Sequence, residues 1–403
     1  MKVTKTMNGK KTLKRMLMLC LCLAVMLGSA CADSLVEIRK STGQPLDYQC
    51  ALPDGRLLLT GSTSTASGVP GTVEWIVCMN PDETVSWEYT GEDKENSYRG
   101  CYDAAVLADG TVAAVVIDES PDGMAMTAKF FTPDGQPTGK ETAIESNLAI
   151  HAAKASYLMM SMGSIEGDRT EVFGWDGNKR FAYDGLVVSG GYGSIARGDD
   201  LVLCGSVTGG NSKAVILKLD GVQDKELWRT ELDFQWPDTK QAELYGAVKT
   251  ADGGYAALLR ELSGAVTDDI YQYRLALVKF DAEGRVQWVN KDIVEDNGNY
   301  GLAAYNGKIM LYPGMPVDMD KPQVFRWLDE TGKELGTTEL TVQSEDCPEL
   351  KKFLSNGGSM MVGYMEMIPE ADGLWAVAPA YTVDENDFSD MTETILFKIP
   401  ELQ

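Results

Sequence analysis

Short apolar strands separated by acidic, glycine-containing turns recur along most of this chain. The clearest copy runs from Leu277 to Trp288, LVKFDAEGRVQW, with an apolar strand, a turn and a second strand that ends on tryptophan. Short runs of β-branched and aromatic residues between turn signals are typical of β-strands. The pattern therefore predicts an all-β protein built from a repeated unit.

Two turn signals alternate within the repeat, and the first joins two apolar strands. It occurs at Asp54-Gly55, Asp109-Gly110, Gly198-Asp199, Asp252-Gly253, Asn306-Gly307 and Asn356-Gly357. Asn-Gly and Asp-Gly supply the positive φ angles that a two-residue hairpin demands, so each predicts one hairpin per repeat. The spacing is 50 to 55 residues where copies are adjacent, and a degenerate copy near Ala155 fits between Gly110 and Gly198. These copies make seven units.

The second turn closes the outer part of each unit, as in VCMNPDETVSW and LKLDGVQDKELW. Trp87, Trp228 and Trp288 follow such turns, where a flat side chain can cover a neighbouring sheet. Four short strands in about 50 residues is typical of a β-propeller blade. We predict one domain, residues 33–403, folded as a seven-bladed β-propeller, with six or eight blades as alternatives.

These segments resemble the quinoprotein-like (PQQ-like) propeller repeat, whose loose pattern is an apolar strand, aspartate, a glycine-containing turn, lysine and tryptophan. LDETGKEL, from Leu328 to Leu335, is the nearest match, and the resemblance extends from about Tyr48 to Gln403. It implies the fold. Family members that carry a quinone also have calcium ligands and a cofactor pocket, and neither can be assigned in this sequence, so we expect no cofactor and no metal.

The last repeat supplies three strands rather than four. Between Lys351 and Pro400 the pattern predicts a hairpin in FLSNGGSMMVGYMEM and one further strand in TILFKIP. Ser34 to Ser41, SLVEIRKS, is comparable to the outer strands of other repeats. We predict that this N-terminal strand completes the last blade and closes the ring, because closure removes two free sheet edges.

The N-terminus is typical of an export signal. A basic start precedes the apolar run from Met16 to Leu27, and cleavage after Ala32 fits the small residues Ala30 and Ala32. The alternative is a lipoprotein signal in which Cys31 is acylated, although Leu27 stands one place too early for the usual pattern. No later segment approaches the length of about 20 apolar residues that a membrane helix needs.

The net charge limits which partners the protein can bind, and the cysteine spacing bears on whether disulfides hold the fold. The net charge is −24, and it becomes −30 when residues 1–32 leave, because they carry six positive and no negative side chains. Such a field repels phosphate backbones and anionic lipids, so nucleic acid is excluded as a partner. The remaining cysteines are widely spaced without a C-x-x-C pair and indicate small buried side chains rather than a disulfide framework.

Tyrosine recurs where the inner strands of the repeats are expected to begin. Since those strand starts gather at one mouth of a propeller channel, the tyrosines and the neighbours Gln49, Asp103 and His151 form a candidate ligand ring; Ile150 takes the tyrosine position in the third repeat. The competing interpretation is that repeated residues serve packing between blades. The candidate ligand residues are Tyr48, Tyr102, Asp103, His151, Tyr192, Tyr245 and Tyr300.

A single histidine excludes most familiar catalytic machinery. No G-x-S-x-G elbow presents a serine, and no His or Cys pattern indicates zinc. The acidic segment from Asp384 to Asp390 lacks the calcium-loop series and is predicted to be a solvated loop. We predict an exported, monomeric, non-catalytic propeller that binds an extracellular carbohydrate or a partner protein. The alternatives are a carboxylate-dependent glycoside hydrolase or lyase and a lipid-anchored envelope assembly factor.

Overall fold

The computed structural model describes residues 46–402 apart from gaps, and strands are the regular secondary structure of that part of the chain. The expected signal peptide, the strand Ser34–Ser41, Cys31, Tyr192 and the Asn356-Gly357 turn lie outside the described residues. The gaps are 66–70, 83, 95–96, 122, 146–148, 155–156, 163–167, 189–200, 209–211, 221–222, 264–272, 295–299, 315–316, 319–321, 341–358, 363–364, 371–372 and 385–386.

The described strands form successive antiparallel units. Unit 1 contains β1 (Asp47–Ala51), β2 (Leu57–Ser64), β3 (Gly71–Met79) and β4 (Val85–Thr90). Unit 2 contains β5 (Ser97–Val106), β6 (Val112–Ser120), β7 (Gly123–Phe131) and β8 (Pro137–Ala143). Unit 3 contains β9 (Ala149–Lys154), β10 (Tyr157–Met162), β11 (Arg169–Phe173) and β12 (Lys179–Asp184). Unit 4 contains β13 (Leu186–Val188), β14 (Leu201–Val207), β15 (Lys213–Asp220) and β16 (Lys225–Glu231).

Three further units follow. Unit 5 contains β17 (Thr239–Lys249), β18 (Tyr255–Ser263), β19 (Tyr273–Phe280) and β20 (Val286–Asn290). Unit 6 contains β21 (Tyr300–Tyr305), β22 (Lys308–Pro313), β23 (Val317–Asp318), β24 (Gln323–Leu328) and β25 (Glu334–Leu340). Unit 7 contains β26 (Ser359–Val362), β27 (Glu366–Glu370), β28 (Gly373–Asp384) and β29 (Asp387–Lys398).

Chain order is also sheet order in units 1 to 6, because each strand pairs antiparallel with the next; only the two-residue β23 stands aside and pairs with β26 of unit 7. Units 1 and 2 are joined by a short parallel pairing of β3 with β5. The all-β prediction and the repeated four-stranded unit are thus confirmed for the described residues.

Unit 7 has four described strands rather than the predicted three: the strand predicted in TILFKIP is the end of β29, whereas β28 was not predicted. β26 and β27 pair with successive halves of β28, and β28 pairs along its length with β29. The segment Asp384–Asp390, predicted as a solvated loop, ends β28 and begins β29. The pairing continues to the turn, with Val383 opposite Phe388 and Asp384 opposite Asp387, because the strand ladder is formed by backbone groups.

The hairpin signals are confirmed at four described positions, although three of those turns are longer than two residues. Leu52 N–H donates to the Arg56 carbonyl at 2.7 Å, so Pro53 to Gly55 form the turn. Gly55 alone has a positive φ, +85°, because Asp54 accepts the Arg56 N–H with its carboxylate and needs no left-handed backbone. Gly110 and Gly253 repeat this geometry, whereas Asn306-Gly307 is the two-residue turn, with φ of 49° and 70°.

Each unit buries both faces of its middle strands, and apolar clusters connect each unit to the next. Leu57, Leu58 and Leu59 are successive residues of β2 and all are buried, which requires a neighbour on each side of the sheet. Clusters join units 1–2, 2–3, 3–4, 4–5, 5–6 and 6–7. A further cluster places Leu57 of unit 1 with Ile368, Trp375, Val377 and Leu396 of unit 7.

Tryptophans on the last strands of units 1, 4 and 5 each pack on a glycine in the outer turn of the following unit, as the sequence predicted. The indole N–H of Trp228 donates to the Ala282 carbonyl at 3.2 Å, and a Cβ on Gly284 would lie 2.4 Å from the Trp228 ring. Trp87 with Gly135 and Trp288 with Gly332 repeat the contact, each with an indole hydrogen bond of 3.0 Å. Glycine is required because the ring occupies the space of a side chain.

The described cysteines are free thiols, and most are core residues. Cys78, Cys101 and Cys204 are buried, and Cys50 is half-buried. Burial raises the pKa of Cys78 to about 11 and that of Cys204 to about 12, so both remain neutral thiols. The interpretation of these cysteines as small buried side chains is confirmed for those three, while Cys347 lies outside the described residues.

We expect Gly284→Ala to destabilise the protein more than Gly253→Ala. Both glycines have a positive φ, which costs an alanine roughly 1 kcal/mol. Nothing lies within 4 Å of a Cβ on Gly253, whereas one on Gly284 displaces the Trp228 ring and adds about 1–3 kcal/mol. Urea unfolding of both variants measures the difference. Equal free energies of unfolding would show that the indole contact does not hold units 4 and 5 together.

Candidate functional site

The first strands of several units contain a β-bulge at a comparable place. In β1 the register shifts between Tyr48 and Cys50, which leaves Gln49 as the extra residue. In β5 the extra residue is Tyr102, and in β9 it is His151. A bulge bends its strand and re-aims the extra side chain, and bulges are frequent next to binding sites. Three consecutive units therefore each have one residue outside the regular strand pairing at this place.

The predicted ligand residues differ in where the structure places them. Tyr300 begins β21 and Tyr48 is the second residue of β1, but Tyr102 and Tyr245 lie well inside β5 and β17, which begin at Ser97 and Thr239. The expectation that tyrosine opens each inner strand is wrong for those two. Their strands extend further because alternating residues such as SYRG continue the pairing.

Tyr245 and Tyr300 come together in the apolar contact between units 5 and 6. Burial raises the pKa of Tyr245 far above its ordinary value. The packing interpretation fits these two tyrosines better than a ligand role. The backbones of Tyr48 and His151 lie in β1 and β9.

Tyr102 has the opposite environment. Its side chain is 53 % exposed, and that of Tyr98 on the same strand is 57 % exposed. They are the two exposed aromatic side chains among those the structure describes. Tyr98 lies opposite Glu119 on β6, and Glu119 lies opposite the exposed Met124 on β7. Directly opposite residues share a face of the sheet, so Tyr98, Glu119 and Met124 form one continuous area, and, besides burial, Glu119 is close enough to Tyr102 to raise the pKa of its phenol. We call Tyr98, Tyr102, Glu119 and Met124 the unit 2 surface.

The ring of Tyr102 lies against the backbone of its own strand at Gly100. A Cβ on Gly100 would lie 3.2 Å from Cε2 of Tyr102, so one side of the ring covers Gly100 and the remaining surface faces solvent. Partial burial and the charge of Glu119 raise the pKa of Tyr102, and the phenol therefore keeps its proton at neutral pH. Asp103, the next residue, accepts the backbone N–H of Ala104 at 2.8 Å and is committed to the bulge.

Polar contacts hold both sides of Tyr98 in place. Ser97 donates its hydroxyl to Asp118 at 2.7 Å, and Lys94 reaches the same carboxylate at 3.2 Å. On the other side, Arg99 pairs with Glu74 of unit 1 at 3.4 Å. The flanking residues are therefore fixed, and Tyr98 is presented on a rigid strand rather than on a loop.

Glu74 is the centre of this anchoring and is fully buried. Besides Arg99 it pairs with Lys129 of β7 at 2.6 Å, so one carboxylate joins β3, β5 and β7 across units 1 and 2. Gly91 lies directly against the Glu74 carboxylate, since a Cβ there would be 2.3 Å from the carboxyl carbon. A buried carboxylate between two cations is costly to disrupt because removal of its charge leaves both cations unpaired.

The described residues of this surface offer groups that can bind a ligand. No group of three or more His, Cys, Asp or Glu side chains in that part of the chain has the spacing of a metal site. The strands that surround Tyr98 and Tyr102 supply ring faces, phenol hydroxyls and the carboxylate of Glu119. Of these residues, the sequence indicated Tyr102; Tyr98, Glu119 and Met124 gave no signal because their exposure depends on which strand residues the pairing turns outward.

We expect Glu74→Gln to lower the free energy of unfolding by about 3 kcal/mol, because Lys129 and Arg99 lose their common counter-charge in a buried position. Glu141→Gln is the matched control. Glu141 lies 3.9 Å from Lys129 with a 60 % exposed side chain, so its loss should cost less than about 0.5 kcal/mol. Guanidinium unfolding of the two variants provides the comparison, and similar values for both would assign the anchoring to other contacts.

No family model and no curated protein sequence matches this chain. Among solved structures, it is similar to the β-propeller domain of the trilobed protease from Pyrococcus furiosus, with 10 % identity, 87 % of this chain and 97 % of that chain covered, and a TM-score of 0.46. It is also similar to Drosophila Plexin A in complex with Semaphorin 1b, with 6 % identity, coverage of 90 % and 87 %, and a TM-score of 0.47.

A third similar structure is the Dos1 propeller, with 8 % identity, coverage of 91 % and 96 %, and a TM-score of 0.44. With TM-scores below 0.5, none of these likenesses bears on what this chain binds. The described residues contain no helix that is long and apolar enough to cross a bilayer. What the chain shows by itself is an all-β fold of repeated four-stranded units.

Proposed function

We propose that this protein is an exported, carbohydrate-binding β-propeller whose ligand lies on the unit 2 surface. The observation that carries the proposal is the pair of exposed tyrosines, Tyr98 and Tyr102, on one strand beside the carboxylate of Glu119. The other aromatic rings that the structure describes are buried or half-buried, so two exposed ones on a single strand stand out.

The chemistry of the surface favours a sugar chain. The C–H face of a pyranose packs on an aromatic ring, whose face is electron-rich, and its hydroxyls need acceptors such as a carboxylate. The two tyrosines lie four positions apart on β5, which is at most roughly 13 Å at about 3.3 Å per residue, and the bulge at Tyr102 shortens this separation. Tyr98 and Tyr102 therefore suit two rings of one oligosaccharide, with Glu119, opposite Tyr98, as a hydrogen-bond acceptor.

We also propose that the seven units form a closed propeller. Apolar clusters connecting each unit to the next support it, as does the cluster that brings Leu57 of unit 1 to Trp375 of unit 7. On this proposal the Ser34–Ser41 strand pairs with β29 and completes the last blade. The tryptophan contacts recurring at Gly135, Gly284 and Gly332 support the proposed relation to quinoprotein-like repeats, because the tryptophan has the same partner in each.

We expect Tyr102→Ala to weaken oligosaccharide binding about tenfold or more, since loss of one stacked ring removes about 1.4 kcal/mol. Tyr102→Phe should retain most of the affinity because the ring remains. The measurement is titration calorimetry of the whole protein with a panel of soluble oligosaccharides. Leu227→Ala is the control, because Leu227 is also an exposed apolar residue, 47 % exposed, but lies on β16.

Two results would contradict this assignment. Equal affinity of Tyr102→Ala and Leu227→Ala for every bound glycan would place the sugar elsewhere on the chain. Absence of binding to any oligosaccharide, together with tight binding of a protein partner that Tyr98→Ala or Tyr102→Ala abolishes, would make the surface a protein interface.

We expect export to be visible in the mass of the mature chain. The basic start and the apolar run Met16–Leu27 support a signal peptide cleaved after Ala32, so the intact mass from the native host should correspond to a chain that begins at Asp33. An acylated Cys31 in the membrane fraction would show that the protein is lipid-anchored rather than freely secreted. A mass that begins at Met1 would exclude both.

A further inference from the structure

A cleft between units 4 and 5 forms a pocket. These two units do not contribute to the unit 2 surface. Its volume is about 240 Å³. Pockets for drug-sized ligands have volumes of roughly 300–1,000 Å³, so this one suits a smaller molecule. The cleft is lined by Ser206, Ser212, Gln241, Glu243, Arg260 and Tyr273, together with Ala242 and Leu262.

The polar wall of the cleft is an ion pair without net charge, formed by Glu243 and Arg260. They lie opposite each other on β17 and β18, and Arg260 contacts Oε1 of Glu243 through both Nε and Nη2. The Oε2 oxygen of Glu243 and the Nη1 group of Arg260 are not used in this contact. Their side chains are 24 % and 38 % exposed, so the pair offers an acceptor beside a donor to the cleft.

Aromatic rings fix the position of Arg260. Its guanidinium lies 5.2 Å from the ring centre of Tyr245 and 4.8 Å from that of Tyr273, within the range of a cation–π interaction. Because the guanidinium is held by two rings and a carboxylate, it loses little further freedom when a ligand binds. Pre-organisation of this kind is what allows a small pocket to bind with useful affinity.

The backbone around the cleft is fixed by a buried carboxylate beside Arg260. Glu261 accepts the N–H of Gln235 at 2.6 Å, the N–H of Trp236 at 3.3 Å and the hydroxyl of Thr239 at 2.5 Å. These bonds set the start of β17. Ser212 then pairs with Gln241 across the two units, and its carbonyl accepts the Ala242 N–H at 2.9 Å.

We propose that this cleft binds a single uncharged sugar residue through two neighbouring hydroxyls. A vicinal diol presents donors and acceptors side by side, which matches the edge formed by Glu243 and Arg260, while Ser206, Ser212 and Gln241 serve the remaining hydroxyls. Leu262 and Tyr273 supply the apolar contact for the C–H face. An anionic ligand is disfavoured because Glu243 already neutralises Arg260 and the chain carries a net charge of −24.

The inference is independent of the unit 2 surface, since the two sites share no residue. Binding is tested with free monosaccharides, namely glucose, galactose, mannose, fucose and N-acetylglucosamine, by saturation-transfer NMR and calorimetry on the whole protein. We expect saturable binding of at least one of them. Leu227→Ala, an exposed position on β16 outside both sites, should leave that binding unchanged, whereas Arg260→Lys should weaken it at least tenfold because an ammonium cannot present the paired donors.

A cleft-filling variant makes the test specific. Ser212→Trp places an indole in the pocket and should abolish monosaccharide binding, while Thr90→Trp, on the exposed end of β4, adds the same side chain elsewhere and should not. Circular dichroism and the melting temperature show whether each variant is folded. If Ser212→Trp does not fold, Tyr273→Leu is used instead and should weaken monosaccharide binding. The proposal is overturned if no monosaccharide binds, or if binding survives both Arg260→Lys and a folded cleft variant.

Discussion

Burial of both sheet faces is the constraint on which this structure depends. A four-stranded sheet with apolar residues at successive positions, such as Leu57–Leu59 or Val112–Ile117, cannot leave either face in water. The apolar clusters that connect consecutive units cover such faces among the described residues. The Trp228–Gly284 contact and its two equivalents fix how neighbouring units are aligned. The indole ring can lie on the next unit only where a glycine leaves the space of a side chain open.

Buried charges define how the apolar units meet. Glu74 joins three strands of units 1 and 2, and Glu261 holds the connection between units 4 and 5. Lys279, fully buried, pairs with Asp252 at 2.7 Å and also donates to the Phe280 carbonyl. In a low-dielectric contact an unpaired charge is far more costly than a paired one, so these groups select one arrangement of neighbouring strands. Glu74 and Glu261 each lie close to the beginning of a first strand, where the proposed ligand surfaces are found.

The two proposed sites use the same physical device. Tyr98 and Arg260 both occupy rigid strands, and adjacent residues, Arg99 and Glu261, are committed to buried polar contacts. Side chains presented in this way lose little conformational freedom on binding. The bulges in β1, β5 and β9 have a related effect, because each inserts a residue that the sheet cannot pair. The repeat therefore supplies a uniform scaffold, and local departures from it supply the candidate chemistry.

The sequence by itself determined the strand content, the repeat, most described hairpin positions and the tryptophan contacts, because period-two patterning and Asp-Gly or Asn-Gly turns are local signals. In unit 7 it missed β28 and predicted Asp384–Asp390 as a loop, where the end of β28 pairs with the beginning of β29. It indicated Tyr102 but gave no sign of Tyr98 beside Glu119, or of Arg260 between Tyr245 and Tyr273. Only the tertiary structure decided these, because exposure, bulges and contacts between units depend on pairing partners that lie far along the chain or in another sheet.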